Sequence, residues 1–266
     1  MTKMDPYRRC WANSLGDCAG PMSKEHIFSR AIARKQANTA VAVVGMANMP
    51  DGPIGPDGPK ARILCQHHNA RLSPLDCEAK KLADGLHLFV DGARHTTVHL
   101  NGVLLERWAL KTVINHMASG LGHRDKWLPS EPLVRVAYGL EPMPQGCGLY
   151  SLRVEDYEPL SSEQVGVTPA WMGSADGTPR DLMGAIVYLH GAAFFLLLQA
   201  HFLEVLRTHG LAFSQSQLPL TYDRLTFHSI AAQMDDDQGH TLVALFDWAE
   251  VLLTHTLCES VPESRE

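Results

Sequence analysis

This 266-residue chain lacks a long hydrophobic run. Its most apolar stretch, 182–198, is interrupted by His190-Gly191 and followed by polar residues, so no membrane span is expected. The segment from Met1 to Cys10 is polar and has no apolar h-region, which excludes a signal peptide and makes the cytoplasm the expected compartment. No Gly-rich phosphate loop is present, which argues against ATP or GTP use. There is no internal repeat. Aromatic residues make up 7% of the chain, and the first eighty residues hold only Tyr7, Trp11 and Phe28, too few for a base-stacking platform. The chain has no excess of positive charge either. Its net charge of −6 argues against a generic nucleic-acid binder. That average hides an asymmetry, because residues 1–80 carry 11 Lys/Arg against 7 Asp/Glu.

What is there is concentrated in that positive part. Six cysteines sit at 10, 18, 65, 77, 147 and 258. In a reducing compartment, clustered cysteines read as metal ligands. Cys77, Cys147 and Cys258 have no partner at ligand spacing and read as small buried hydrophobes. Cys10, Cys18, Cys65 and His68 meet the count for a tetrahedral zinc site. The two-residue spacer of Cys65-x-x-His68 lets one turn present both ligands. Cys10 and Cys18 are wider apart and need an ordered loop, for which Gly16 offers a bend. His67 is the rival of His68 for the fourth place.

Each pair has a further polar group beside it. Glu25-His26 follows the first and Asn69 directly follows the second. Phosphodiester hydrolysis needs a base that titrates near neutrality, which suits His26. It also needs a cation on the leaving oxygen, and Mg²⁺ or Mn²⁺ prefers oxygen ligands such as those of Glu25 and Asn69. In a strand, neighbouring side chains point to opposite faces, so Glu25 and His26 share a site only in special geometry. Arg30, Arg34, Lys60, Arg62 and Arg71 flank the cluster as candidate contacts to backbone phosphates.

In order and type these residues resemble HNH endonucleases of the ββα-metal fold with a structural zinc. The resemblance rests on Cys10, Cys18, Glu25-His26-Ile27, Cys65-x-x-His68 and Asn69, and covers about the first seventy residues. It implies His26 as general base, Glu25 and Asn69 as ligands of the catalytic ion, and Cys10, Cys18, Cys65 and His68 as zinc ligands. It also implies DNA as the partner, and a role in restriction or phage defence. The chain departs from the family pattern at several points. Glu25 replaces the commoner Asp, His68 replaces a fourth Cys, and Lys60 stands where a bracing Asn is expected. The alternative is a zinc-stabilised binding module without catalysis.

The expected fold class is α+β. A zinc-organised ββα-metal module over residues 1–88 is followed by an α+β domain over 89–266, which would serve targeting, regulation, a partner protein or homo-oligomerisation. The pattern predicts a short helix within 25–37, an irregular loop over 49–59, a strand over 60–65 and a helix over 69–86 that starts at Ser73-Pro74. Further on it predicts a strand over 95–100, a helix over 103–117 and strands over 133–138 and 149–154. It also predicts a hairpin around His190-Gly191, its second strand running on into a helix to residue 206, and a helix over 241–257.

Overall fold

A computed structural model describes residues 5–253, apart from 31, 33–40, 44–48, 50–51, 55–57, 123–126, 155–164, 174–178, 191, 203–210, 214–215, 219, 225–230, 236–238, 240 and 251–252. The expected α+β class holds. The first strand, β1 (Met22–His26), pairs antiparallel with β4 (Lys60–Cys65). Between them lie the three-residue strands β2 (Val41–Val43) and β3 (Gly52–Ile54), which pair with each other. That pairing corrects the irregular loop expected over 49–59. Helix α1 (Gln66–Arg71) follows β4 without a linker, and α2 (Ser73–Val90) starts one residue after α1 ends. The predicted Ser73-Pro74 start is therefore correct, with Pro where a missing N–H costs nothing.

Strand β5 (His95–Asn101) leads straight into α3 (Gly102–Ala118), and the Asn101 side chain accepts from Leu104 N to cap it. Every residue of α3 is buried. A helix apolar or enclosed on all sides belongs in the interior, and α3 is the axis around which the molecule is built. Glu78 of α2 accepts from Asn101 N at 2.6 Å, fixing the start of α3 against α2.

The remaining strands form two sheets and a small ribbon. A five-stranded sheet runs β12 (Leu220–Arg224), β6 (Gly148–Val154), β9 (Ala192–Leu197), β8 (Pro179–Leu189), β7 (Val165–Gly173). The predicted β8–β9 hairpin is present, and His190 directly after β8 has φ 47°, in the left-handed region a tight hairpin demands. A three-stranded sheet runs β13 (Ala231–Asp235), β14 (Thr241–Asp247), β5. The ribbon pairs β10 (Leu211–Phe213) with β11 (Ser216–Leu218).

Three predicted elements change type or extent. Residues 133–137 are not a strand but belong to α4 (Glu131–Ala137), with Tyr138 as its C-cap; the helix starts at Ser130-Glu131-Pro132, and that signal outweighs the β-branched Val134 and Val136. Of the helix predicted over 241–257, residues 241–247 are instead the central strand β14, whose alternating burial of Leu242, Ala244 and Phe246 is that of a strand with one face on the core; residues 251, 252 and 254–257 lie outside the described residues. Strand β1 takes the first two residues of the helix predicted within 25–37, where Arg30 and Ile32 are helical and the rest lies largely outside the described residues. The predicted continuation over 203–206 lies outside them too, as does Cys258. Cys147 is buried as expected, whereas Cys77 is disulfide-bonded rather than a lone hydrophobe.

One hydrophobic core runs from Cys10 and Ile27 through Leu64, Leu86 and Trp108 to Phe246. It is continuous across residue 88, and α2 passes through that position unbroken. Each Leu or Ile fully buried in it contributes roughly 1.5–3 kcal/mol. Among the described residues no helix is long and apolar enough to cross a membrane.

Candidate metal centre

The loop before β1 and the junction of β4 with α1 meet at one point. There the ligand atoms of Cys10, Cys18, Cys65 and His68 all lie within 4.8 Å of one another. His68 Nδ1 stands 3.4 Å from Cys10 Sγ, 3.5 Å from Cys18 Sγ and 3.3 Å from Cys65 Sγ. Around a tetrahedral zinc with ordinary Zn–S and Zn–N bonds, a sulfur and a nitrogen ligand are ~3.6 Å apart. The four donors therefore have the spacing and chemistry of a Cys₃His site, and the group can hold a metal ion. The competition between the two histidines is settled for His68, which is fully buried, while His67 turns outward to Asp17.

Local hydrogen bonding explains why the site forms. Cys65 is the N-cap of α1, and its sulfur accepts from His68 N at 3.5 Å. Cys10 Sγ accepts from Cys65 N at 3.4 Å. The carbonyls of Ala19 and Pro21 accept from His67 N and Gln66 N, so the loop that carries Cys18 also satisfies the first donors of α1. Gly16, at φ 78°, makes the bend that spans the wide Cys10–Cys18 spacing. Burial pushes the Cys10 thiol up, and burial with the neighbouring sulfurs does the same to Cys18. Those two thiols resist ionising without a cation beside them, and a bound zinc removes that resistance.

A second layer of contacts orients His68. Its Nε2 meets Asp17 Oδ1 at 2.6 Å, leaving Nδ1 for the metal. Asp17 also engages His67 at 3.3 Å and Arg71 at 2.9 Å. Burial works against the Asp17 carboxylate, but His68, His67 and Arg71 outweigh it and hold the group below its ordinary value. Burial keeps His68 low and hence neutral, the form a ligand requires. Tyr138, at the end of α4, donates to the His68 carbonyl at 3.0 Å, and Arg71 lies 5.1 Å over its ring. Asp17 and Tyr138 carry no ligand-type signal in sequence, although Asp17 directly precedes Cys18.

The remaining predicted site residues separate. Glu25 pairs in register with Ala61 and His26 with Lys60, so the two lie on opposite faces of the ribbon. Glu25 is buried, its Oε1 at 3.0 Å from Lys111 Nζ and 3.4 Å from Asn115 Nδ2. Lys111 also holds Asp76 at 2.7 Å, and Asp76 accepts from Ser29, whose oxygen accepts from Trp108. Burial works to lower the Lys111 ammonium, but Asp76 and Glu25 overcome it and hold the group well above its ordinary value. One carboxylate neutralises one ammonium, so burial dominates at the deeper Glu25 and pushes its carboxyl up.

Asn115 performs a second task. Its Nδ2 donates to the His26 carbonyl at 3.4 Å, while its Oδ1 accepts from Trp11 at 2.9 Å. A carboxamide from α3 thus braces the His26 backbone, where the motif has Lys60 instead of Asn. Asn69 sits half-buried in α1 directly after His68, its carbonyl accepting from Leu72 N. Of the predicted phosphate contacts, Arg30, Lys60 and Arg62 are exposed, Arg71 is engaged by Asp17, and Arg34 lies outside the described residues.

The fold and the site define an α+β protein with a Cys₃His group able to hold a metal ion. No protein-family model matches this chain, and neither does any curated protein or solved structure.

Proposed function

We propose that this chain is a metal-dependent nuclease of the HNH type that hydrolyses phosphodiester bonds in DNA. One observation carries the reading. The Cys₃His group ties the loop before β1 to the β4–α1 junction, so that His26 and Asn69 are borne by elements of a strand–strand–helix unit whose joint it fixes. His26 would take the proton of the attacking water, a task suited to an imidazole. Asn69 offers a carboxamide oxygen to a Mg²⁺ or Mn²⁺ ion, and Glu25 a carboxylate. Such an ion would supply charge stabilisation at the phosphate and leaving oxygen. Glu25 reaches the ion only by releasing Lys111; with Lys111 in place, it fixes the strand that carries His26. A role in restriction or phage defence follows from the resemblance alone.

The second reading, a zinc-stabilised binding module without catalysis, draws on that same Glu25–Lys111 pairing. Nicking of supercoiled plasmid with Mg²⁺ or Mn²⁺ separates the two. His26→Ala should slow nicking by about 100-fold or more, the scale of a lost general base. Equal rates in variant and wild type sink the mechanism. So does the absence of nicking by folded, zinc-loaded wild type.

A further inference from the structure

Beside the metal centre the surface has a recess of about 360 Å³, lined by Asp5, Pro6, Arg8, Arg9, Met22 and Arg62. It lies where the N-terminal segment passes the β1–β4 ribbon, held there by Trp11 N donating to Ile63 O of β4 at 2.9 Å. All three arginines are exposed, and among the described residues none makes an ion pair. The single acid of the lining is already engaged. Asp5 Oδ1 accepts from Tyr7 N at 2.8 Å and Oδ2 from Asn13 Nδ2 at 2.7 Å. Three arginines therefore line one concavity against a single carboxylate, which pairs with none of them, in a chain whose net charge is −6. Unpaired arginine forks match the geometry of phosphate oxygens.

We propose that Arg8, Arg9 and Arg62 form a docking recess for the phosphodiester backbone of a nucleic acid. The lining decides between a polymer and a small nucleotide. It contains no aromatic ring, so a base has no platform on which to stack, and only Met22 is a large apolar side chain. A site of this kind grips phosphate and positions a strand without reading sequence. Its place on the ribbon sets what it positions. Arg62 lies two residues along β4 from Lys60, ~7 Å away, and both residues are exposed. Lys60 is the register partner of His26. A backbone held at Arg62 therefore runs toward the exposed Lys60, beside His26, and away from the buried Glu25. Arg8 and Arg9 come from a segment that periodicity and motif spacing leave unmarked.

The assignment deepens the nuclease reading and rests on it for the identity of the polymer, but binding tests it apart from cleavage. Fluorescence anisotropy with a labelled DNA duplex, on zinc-loaded full-length protein without added Mg²⁺ or Mn²⁺, compares wild type with the Arg8→Ala, Arg9→Ala, Arg62→Ala triple variant. The variant should bind at least 10-fold more weakly. Its log-affinity against log-salt slope should be shallower by about 2–3, as three lost phosphate contacts require. Replacing the same residues by Lys should keep most of the salt slope, which separates lost charge from lost fold. Unchanged affinity and slope in the Ala variant, at unchanged zinc content, overturn the recess and leave the nuclease reading standing. Arginine-dependent binding without any nicking upholds the recess and removes the nuclease. Competition by inorganic phosphate or a mononucleotide as effective as competition by unlabelled duplex overturns the polymer assignment, as does wild type that binds no nucleic acid.

Discussion

Replacing Lys111 by Met tests whether the network behind β1 is ionic. Met keeps most of the aliphatic stem and removes the ammonium, leaving Glu25 and Asp76 facing a site that is 3% exposed at Lys111. Removing one partner of a buried ion pair costs about 3–5 kcal/mol if the other stays charged. Here a proton caps that cost. Glu25, the more deeply buried of the two carboxyls, takes up a proton. Protonating a carboxyl at pH 7 from an ordinary glutamate value of 4.5 costs ~3 kcal/mol, and at pH 5 less than ~1 kcal/mol. Because burial already raises Glu25 in the wild type, that figure is an upper bound, and Lys111→Met should lower stability by between about 1 and about 3 kcal/mol at pH 7 and by less than about 1 kcal/mol at pH 5. Urea unfolding at fixed, saturating zinc measures both. Adding Glu25→Gln to Lys111→Met should recover most of the loss at pH 7 and flatten its pH dependence. A loss below about 1 kcal/mol at both pH values would refute the reasoning, as would a double variant no better than the single one.

Asp17→Asn keeps a group near His68 but removes the charge opposite its Nε2, so zinc affinity should fall ~10- to 100-fold while the fold persists. Competition with a colorimetric chelator reads this, and unchanged affinity would mean that Asp17 does not orient His68. His116 is buried on α3 with Nδ1 lacking a hydrogen-bond partner among the described residues, and burial lowers it to about 4. The folded state thus binds this proton more weakly than the unfolded state does. Stability should be fully present above pH 6.5 and fall as the pH drops toward 4, by ~3 kcal/mol in all. His116→Gln should flatten that part of a pH–Tm profile, and an unchanged profile would assign the acid sensitivity elsewhere.

Much of the metal centre was legible before any fold was known, because its signals are local. A Cys-x-x-His spacing suits one turn, and a Gly marks the bend that a wide cysteine pair needs. Ser73-Pro74 and His190-Gly191 marked element boundaries for the same reason. Where the reading failed, the deciding contacts were distant. Leucines within 241–257 fit a helical spacing, but β5 and β13 bind β14 on both edges and make a strand of its first half. Val134 and Val136 suggested a strand, yet a proline in the first turn and packing on α3 made a helix.

The sequence alone narrowed the candidate metal donors to Cys10, Cys18, Cys65 and one of two adjacent histidines, since donors of the right type at short spacings constrain which atoms can meet, and the burial of His68 decided the fourth. It also determined that Glu25 and His26 would diverge, since strand neighbours face opposite ways. Only the tertiary structure decided what each then meets. Lys111 and Asn115 lie some ninety residues from Glu25 in the chain, and no local pattern announces that a buried helix will supply a counter-ion to one residue and a brace to the next. The same holds for Arg8 and Arg9, which join Arg62 only because a backbone hydrogen bond lays the N-terminal segment along β4. Short-range spacing fixes which ligands can share an ion, whereas burial and charge pairing across the core depend on how distant elements pack.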